Sequence, residues 1–188
     1  GKLVQMRHIS GLNFRVSHAV TGCAEPLFRQ TCAEKPSSLL LAGAVGSGKT
    51  TMLRDLCRLL GASWRLTLVD ERSEIAAVHH GVPQYDVGLH TDVLDGFPRA
   101  EGLLTALRVL TPEVLVCDEI STEADAEAIL RLHGCGVPVI ASAHAASWDD
   151  LERRPVLKQL LDKGVFQYAA VLSGRELGRV QTLRRVVS

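Results

Sequence analysis

Residues 38–50 read Ser38-Leu39-Leu40-Leu41-Ala42-Gly43-Ala44-Val45-Gly46-Ser47-Gly48-Lys49-Thr50, an apolar run that breaks into glycine and closes on a lysine and a hydroxyl residue. The last eight fit G-x-x-x-x-G-K-[ST]. Beyond them Met52, Leu53, Leu56, Leu59 and Leu60 recur at helical spacing until Gly61, so the order is strand, tight loop, helix. Glycines let the backbone curl until successive N–H groups face one anion, and the positive end of the following helix adds a favourable field. In that arrangement Lys49 neutralises the β and γ phosphates of a nucleotide, Thr50 offers its hydroxyl to Mg2+, and Thr51 continues the nucleotide-binding set.

Further strands flank this unit. Leu66 to Val69 is apolar and ends in Asp70-Glu71, Val114 to Cys117 ends in Asp118-Glu119, and Val137 to Ser142 is followed by His144. Helical spacing of Leu103, Leu104, Leu107 and Leu110 starts a helix near Pro98. Thr122 with Asp125 three residues on is a capping box for a helix closed by Gly134. Pro155 opens another helix with Val156, Leu157, Leu160 and Leu161 inward. The chain ends in an extended Val165 to Leu172, a Ser173-Gly174 turn and a second extended piece toward Val187. Strand alternating with helix predicts an α/β fold with a mostly parallel sheet flanked by helices, whose ligands sit at the carboxyl ends of the strands. The spacing further predicts a short strand over residues 11–17, a leading segment over 1–37 that is the remnant of an N-terminal part, and a core over 38–188. The connection from the second strand to the helix near Pro98 spans about 25 residues, a length that is usually functional or disordered.

Lys49, Glu71, Asp118, Glu119 and His144 all follow strands and so share one edge of the sheet. An acidic pair alone is common at a solvated strand end. Beside a phosphate loop it reads as a second nucleotide motif, with Asp118 in the magnesium shell and Glu119 orienting the attacking water. Glu71 and Glu74 fit either a solvated turn or a second acidic contribution, and His144 fits either a satisfied core histidine or a sensor of the γ-phosphate. Guanine recognition through N-K-x-D is excluded, since the one asparagine, Asn13, precedes the loop; ATP is the expected nucleotide.

Composition narrows the class. The 188 residues carry 21 basic and 21 acidic side chains and only 4% aromatic residues, which removes the bulk positive field and the stacking platform of a nucleic-acid binder. Five cysteines, odd in number and without C-x-x-C spacing, indicate neither a disulfide framework nor a zinc site, and a reducing cytoplasm is the default. No apolar stretch reaches the 18 residues of a membrane span. The chain begins at Gly1, from which a missing N-terminal part is expected.

The stretch Val69-Asp70-Glu71-Arg72-Ser73-Glu74-Ile75-Ala76, with Gly81-Val82-Pro83-Gln84, Thr91-Asp92-Val93-Leu94-Asp95-Gly96, Ala100-Glu101-Gly102 and Pro112-Glu113-Val114, closely resembles the stage III sporulation protein AA family. The likeness runs from about Ile9 to Leu172 and includes Arg153-Arg154-Pro155-Val156-Leu157-Lys158. It implies a RecA-like P-loop NTPase core similar to the hexameric ATPases of type II and type IV secretion. The implied activity is hydrolysis of ATP to ADP and phosphate with Mg2+. The implied role is motor of a secretion-like channel complex joining mother cell and forespore in sporulation.

The resemblance assigns Gly43 to Thr50 to phosphate, Asp118 and Glu119 to magnesium and water, Glu71 to an acidic box and His144 to a histidine box. Its implied partners are further copies in a homohexamer and a membrane protein of the channel, with the chain peripheral to the mother-cell membrane and no direct contact with nucleic acid. A neighbouring subunit is expected to supply an arginine to the γ-phosphate, from Arg72, Arg99 or Arg108. The competing class is a nucleic-acid-associated P-loop ATPase like the chloroplast and cyanobacterial relatives.

Overall fold

The computed structural model describes residues 10–11 and 18–186. Residues 12–17 of the strand expected over 11–17 fall outside this set. The chain order is α1 (Glu25–Thr31), β1 (Leu39–Gly43), α2 (Lys49–Leu60), β2 (Leu66–Asp70), β3 (Thr91–Asp95), α3 (Arg99–Val109), β4 (Val114–Cys117), α4 (Glu123–Gly134), β5 (Val139–His144), α5 (Trp148–Arg153), α6 (Pro155–Asp162), β6 (Tyr168–Leu172) and β7 (Val180–Arg185). The strands form one sheet in the order β3-β2-β4-β5-β1-β6-β7, parallel throughout except for β7, which runs antiparallel to β6.

The central strands are buried on both faces, which explains why they read as continuous apolar runs rather than as alternation. Along β1, Leu40 and Ala42 join the apolar cluster under α3, α4 and α6, while Leu39 and Leu41 join the one under α1 and α2. Residues of β4 divide in the same way, Leu115 and Cys117 against Val114 and Val116. The helix α2 is buried almost all round, taking Arg54, Asp55 and Cys57 inside along with the expected leucines.

Three elements depart from the expectations. The strand β3 lies within the long connection after β2; its two aliphatic residues, Val93 and Leu94, face opposite clusters, and its position at the sheet edge leaves Asp92 exposed and the other residues half-buried, so it carries no periodic signal. The helix α1 is seven residues long with Pro26 in its first turn. The helix α5 buries only Leu151 and is held at its start by Ser147, whose hydroxyl accepts from the Asp150 amide. Among the described residues no helix is long and apolar enough to cross a membrane.

The sheet order puts β2, β4, β5 and β1 side by side. These are the four strands whose carboxyl ends carry the acids, the histidine and the glycine loop.

Candidate functional site

The glycine loop turns between β1 and α2 with Gly46 at φ 76° and Gly48 at φ 96°, dihedrals that a side chain would strain. At Gly48 a Cβ would also lie 2.9 Å from the backbone nitrogen of Gly178. That nitrogen donates to the Ser47 carbonyl at 2.9 Å, so the turn between β6 and β7 latches onto the loop from the far end of the chain. Lys49 Nζ spans the loop, donating to the carbonyls of Gly43 and Ala44 at 2.9 Å each. Burial lowers the Lys49 pKa from its ordinary value, and the charges of Glu119 and Asp118 act the other way.

A cavity of about 780 Å3 opens over this loop, lined by Val45, Gly46, Gly48, Lys49, Thr50 and Thr51 on one side and by Arg72, Glu74, Asp118, Glu119 and His144 on the other. The register of β1 and β5 pairs Gly43 with His144, which carries the histidine to the start of the loop. Asp118 is 6% exposed; its Oδ1 accepts from the Ser142 hydroxyl at 3.0 Å and from the Glu119 amide at 2.9 Å. Glu119 has the guanidinium of Arg72 at 3.9 Å. Gly43, Ala44 and Ser47 lie within the loop without lining the cavity.

Glu71 is placed elsewhere. Its carboxylate meets Arg99 Nη2 at 2.9 Å, outside the cavity wall, and the same guanidinium meets Asp125 Oδ2 at 3.0 Å. Arg99 is 7% exposed and already paired twice, which removes it as an arginine reaching toward a neighbouring subunit. Arg108 lines a separate groove with Leu104, Leu107 and Arg131. Arg72, the remaining candidate, lines the cavity of its own chain.

The residues that position Arg72 and Glu74 escaped the sequence reading. Asp70, fully buried, accepts from the amides of Glu74, Ile75 and Ala76 at 2.8–3.0 Å. Burial raises its pKa, against the pull of those amides. Arg54 of α2 donates to the carbonyls of His18, Glu74 and Ile75 and stacks over Tyr85. An arginine inside the first apolar turns of a helix is the signal that could have marked it.

The donor chemistry fits a nucleotide with Mg2+. Ser47 Oγ is buried with no partner, Thr50 and Asp118 offer hard oxygens beside the loop, and no cluster of three or more metal-ligating side chains occurs among the described residues. Mg2+ characteristically takes one or two protein oxygens and completes its shell with phosphate and water.

The model of the family described as "Sporulation stage III, protein AA" matches residues 1–185. The chain belongs to this family. Stage III sporulation protein AA of Bacillus subtilis is 40% identical over 179 residues, covering 92% of this chain and 58% of the relative. Protein SEEDLING PLASTID DEVELOPMENT 1 of Arabidopsis thaliana is 29% identical over 191 residues, covering 95% of this chain and 26% of that protein. The chain therefore spans little more than half of the first relative and about a quarter of the second. Among solved structures, the Legionella pneumophila ATPase DotB is similar with a TM-score of 0.58 at 19% identity, covering 78% of this chain and 43% of that one. The pilus retraction motor PilT with bound ADP gives 0.57 at 16% identity, covering 83% and 48%. At these identities the likeness shows the fold alone: an α/β, RecA-like core with a mostly parallel sheet flanked by helices.

Proposed function

We propose that the chain hydrolyses ATP and serves as the motor of a secretion-like channel complex in sporulation, between mother cell and forespore. The observation that carries the hydrolytic reading is the cavity itself, where Lys49, Thr50, Asp118 and Glu119 converge on the glycine loop. Family membership and the secretion-ATPase fold support the cellular role. In this reading the loop amides and Lys49 hold the β and γ phosphates, Thr50 and Asp118 hold Mg2+, and Ser142 fixes the Asp118 carboxylate for that task. Bound magnesium supplies charge neutralisation across the phosphates. Glu119 aligns a water whose oxygen bonds to the γ-phosphorus as the bond to the β–γ bridging oxygen breaks, and the carboxylate accepts the water's proton. ADP and phosphate leave. His144 contacts the γ-phosphate from β5, and Glu71 is held by Arg99 away from the water. The working assembly is a homohexamer docked on a membrane protein of the channel, peripheral to the mother-cell membrane, and without direct nucleic-acid contact.

The test is titration with a fluorescent ATP analogue. Lys49→Ala should weaken binding by at least about tenfold through loss of the charge on the phosphates. Equal affinity in variant and parent would remove the assignment. Sedimentation with and without ATP tests the hexamer, which fails if no larger species forms.

A further inference from the structure

We infer that Arg72 is a catalytic arginine acting in cis: its guanidinium leaves Glu119 and engages the γ-phosphoryl group of the nucleotide bound by its own chain. This rests on the ATP-hydrolysis reading and adds a residue to it.

The basic side chains around the cavity are differently committed. Lys49 lies across the loop, where the phosphates bind. Arg54 is 3% exposed and spends its guanidinium on three backbone carbonyls and the face of Tyr85. Arg72 has one ionic contact among the described residues, Glu119 at 3.9 Å, and its side chain is 61% exposed. An exposed pair at that distance is weak, so a doubly charged phosphate exchanges it readily.

Its backbone, by contrast, is rigidly set. The turn over 70–76 is held by Asp70 through three amides, by Arg54 through the carbonyls of Glu74 and Ile75, and by the Ser73 hydroxyl on Asp95. The Gly96 amide donates to the Asp70 carbonyl at 3.0 Å. Ser73 keeps φ at 53°, a conformation unfavourable for a residue with a side chain and retained here under those restraints. The turn thus aims a loosely held guanidinium from a fixed base into the cavity that Lys49, Asp118 and Glu119 share. A planar guanidinium with several donors suits the equatorial oxygens of a transferring phosphoryl group. Its departure from Glu119 leaves that carboxylate to receive the proton from water, so one movement completes both halves of the site.

The experiment compares full chains carrying Arg72→Ala, Arg72→Lys and, as a control, Arg29→Ala, an exposed position on α1 away from the cavity. Affinity is measured for MgADP and for MgADP with aluminium fluoride, a mimic of the transferring phosphoryl group, alongside phosphate release. The parent should bind the mimic more tightly than ADP. In Arg72→Ala the ADP affinity should stay within about twofold, the extra affinity for the mimic should vanish, and turnover should drop on the order of 10³-fold; Arg72→Lys should recover part of both, and Arg29→Ala should match the parent. Mixing Arg72→Ala with Lys49→Ala chains separates cis from trans, because a trans arginine restores turnover in mixed assemblies and a cis arginine restores none. Restored turnover, or an unchanged preference for the mimic in Arg72→Ala, overturns the inference while leaving ATP hydrolysis standing. A parent chain that binds neither ADP nor the mimic overturns both.

Discussion

Replacing Arg99 by alanine should destabilise the protein rather than disarm it. The guanidinium, 7% exposed, joins Asp125 at 3.0 Å to Glu71 at 2.9 Å, and the two acids lose it very unequally. The Asp125 side chain is 4% exposed, and removing one partner of a buried pair costs roughly 3–5 kcal/mol. Asp125 Oδ2 still accepts from the amides of Ser121 and Thr122 at 3.1 and 3.0 Å, which places the cost at the lower end, about 3 kcal/mol. Glu71 is 38% exposed and rehydrates, adding less than about 1 kcal/mol. The Arg99 Nε is buried without a partner, so its removal forfeits no bond. The sum is about 3–4 kcal/mol. With a urea dependence near 2 kcal/mol per molar the unfolding midpoint should fall by about 1.5–2 M, still leaving a folded chain if the parent lies in the usual range of 5–15 kcal/mol. The assay is urea unfolding followed by circular dichroism. A drop below about 0.5 M, together with lost turnover that returns on mixing with Lys49→Ala chains, would refute the structural role and restore Arg99 as a contact between subunits.

Two other outcomes follow from the same geometry. Gly48→Ala should cost about 1–2 kcal/mol from the left-handed backbone alone, with a further penalty from displacing the Gly178 turn, whereas Gly46→Ala, whose Cβ would meet nothing within 4 Å, should cost less; equal losses in urea unfolding would contradict the latch on the phosphate loop. Burial acts to raise the Asp125 pKa, but the Ser121 and Thr122 amides and Arg99 together hold it below the ordinary carboxylate value. A depressed carboxylate stabilises fully above its unfolded pKa of about 3.9 and loses that contribution as pH falls through the lower folded value. The stability gap between the parent and Asp125→Ala should therefore be constant from about pH 5 to 7 and narrow below about pH 4; a gap that stays constant down to pH 3 would refute the assignment.

Local patterns were legible and long-range ones were not. The span Leu39 to Leu60 declares strand, loop and helix because every feature lies within one stretch, and Thr122 with Asp125 forms the capping box its spacing predicted. The apolar strand before Asp118-Glu119 is just as local. By contrast, which side chains of Asp70-Glu71-Arg72-Ser73-Glu74 face the cavity depends on Asp70 turning inward to bind three amides, and period and composition carry no trace of that. Arg99 read as a candidate for reaching a neighbouring subunit because its partner Asp125 is 26 residues away. The Gly178 latch joins segments at opposite ends of the core. The strand β3 stayed hidden because its aliphatic residues point to opposite faces at a solvated edge.

The central claim is tested most directly by phosphate release from the full chain with ATP, with and without Mg2+, in parent and Glu119→Gln. The side chain of the variant keeps its shape and loses the ability to take a proton from water. Magnesium-dependent release by the parent, with Glu119→Gln retaining ATP unhydrolysed at undiminished affinity, is the predicted result. Equal release by parent and variant, or none by a parent that binds ATP with Mg2+, would contradict the account.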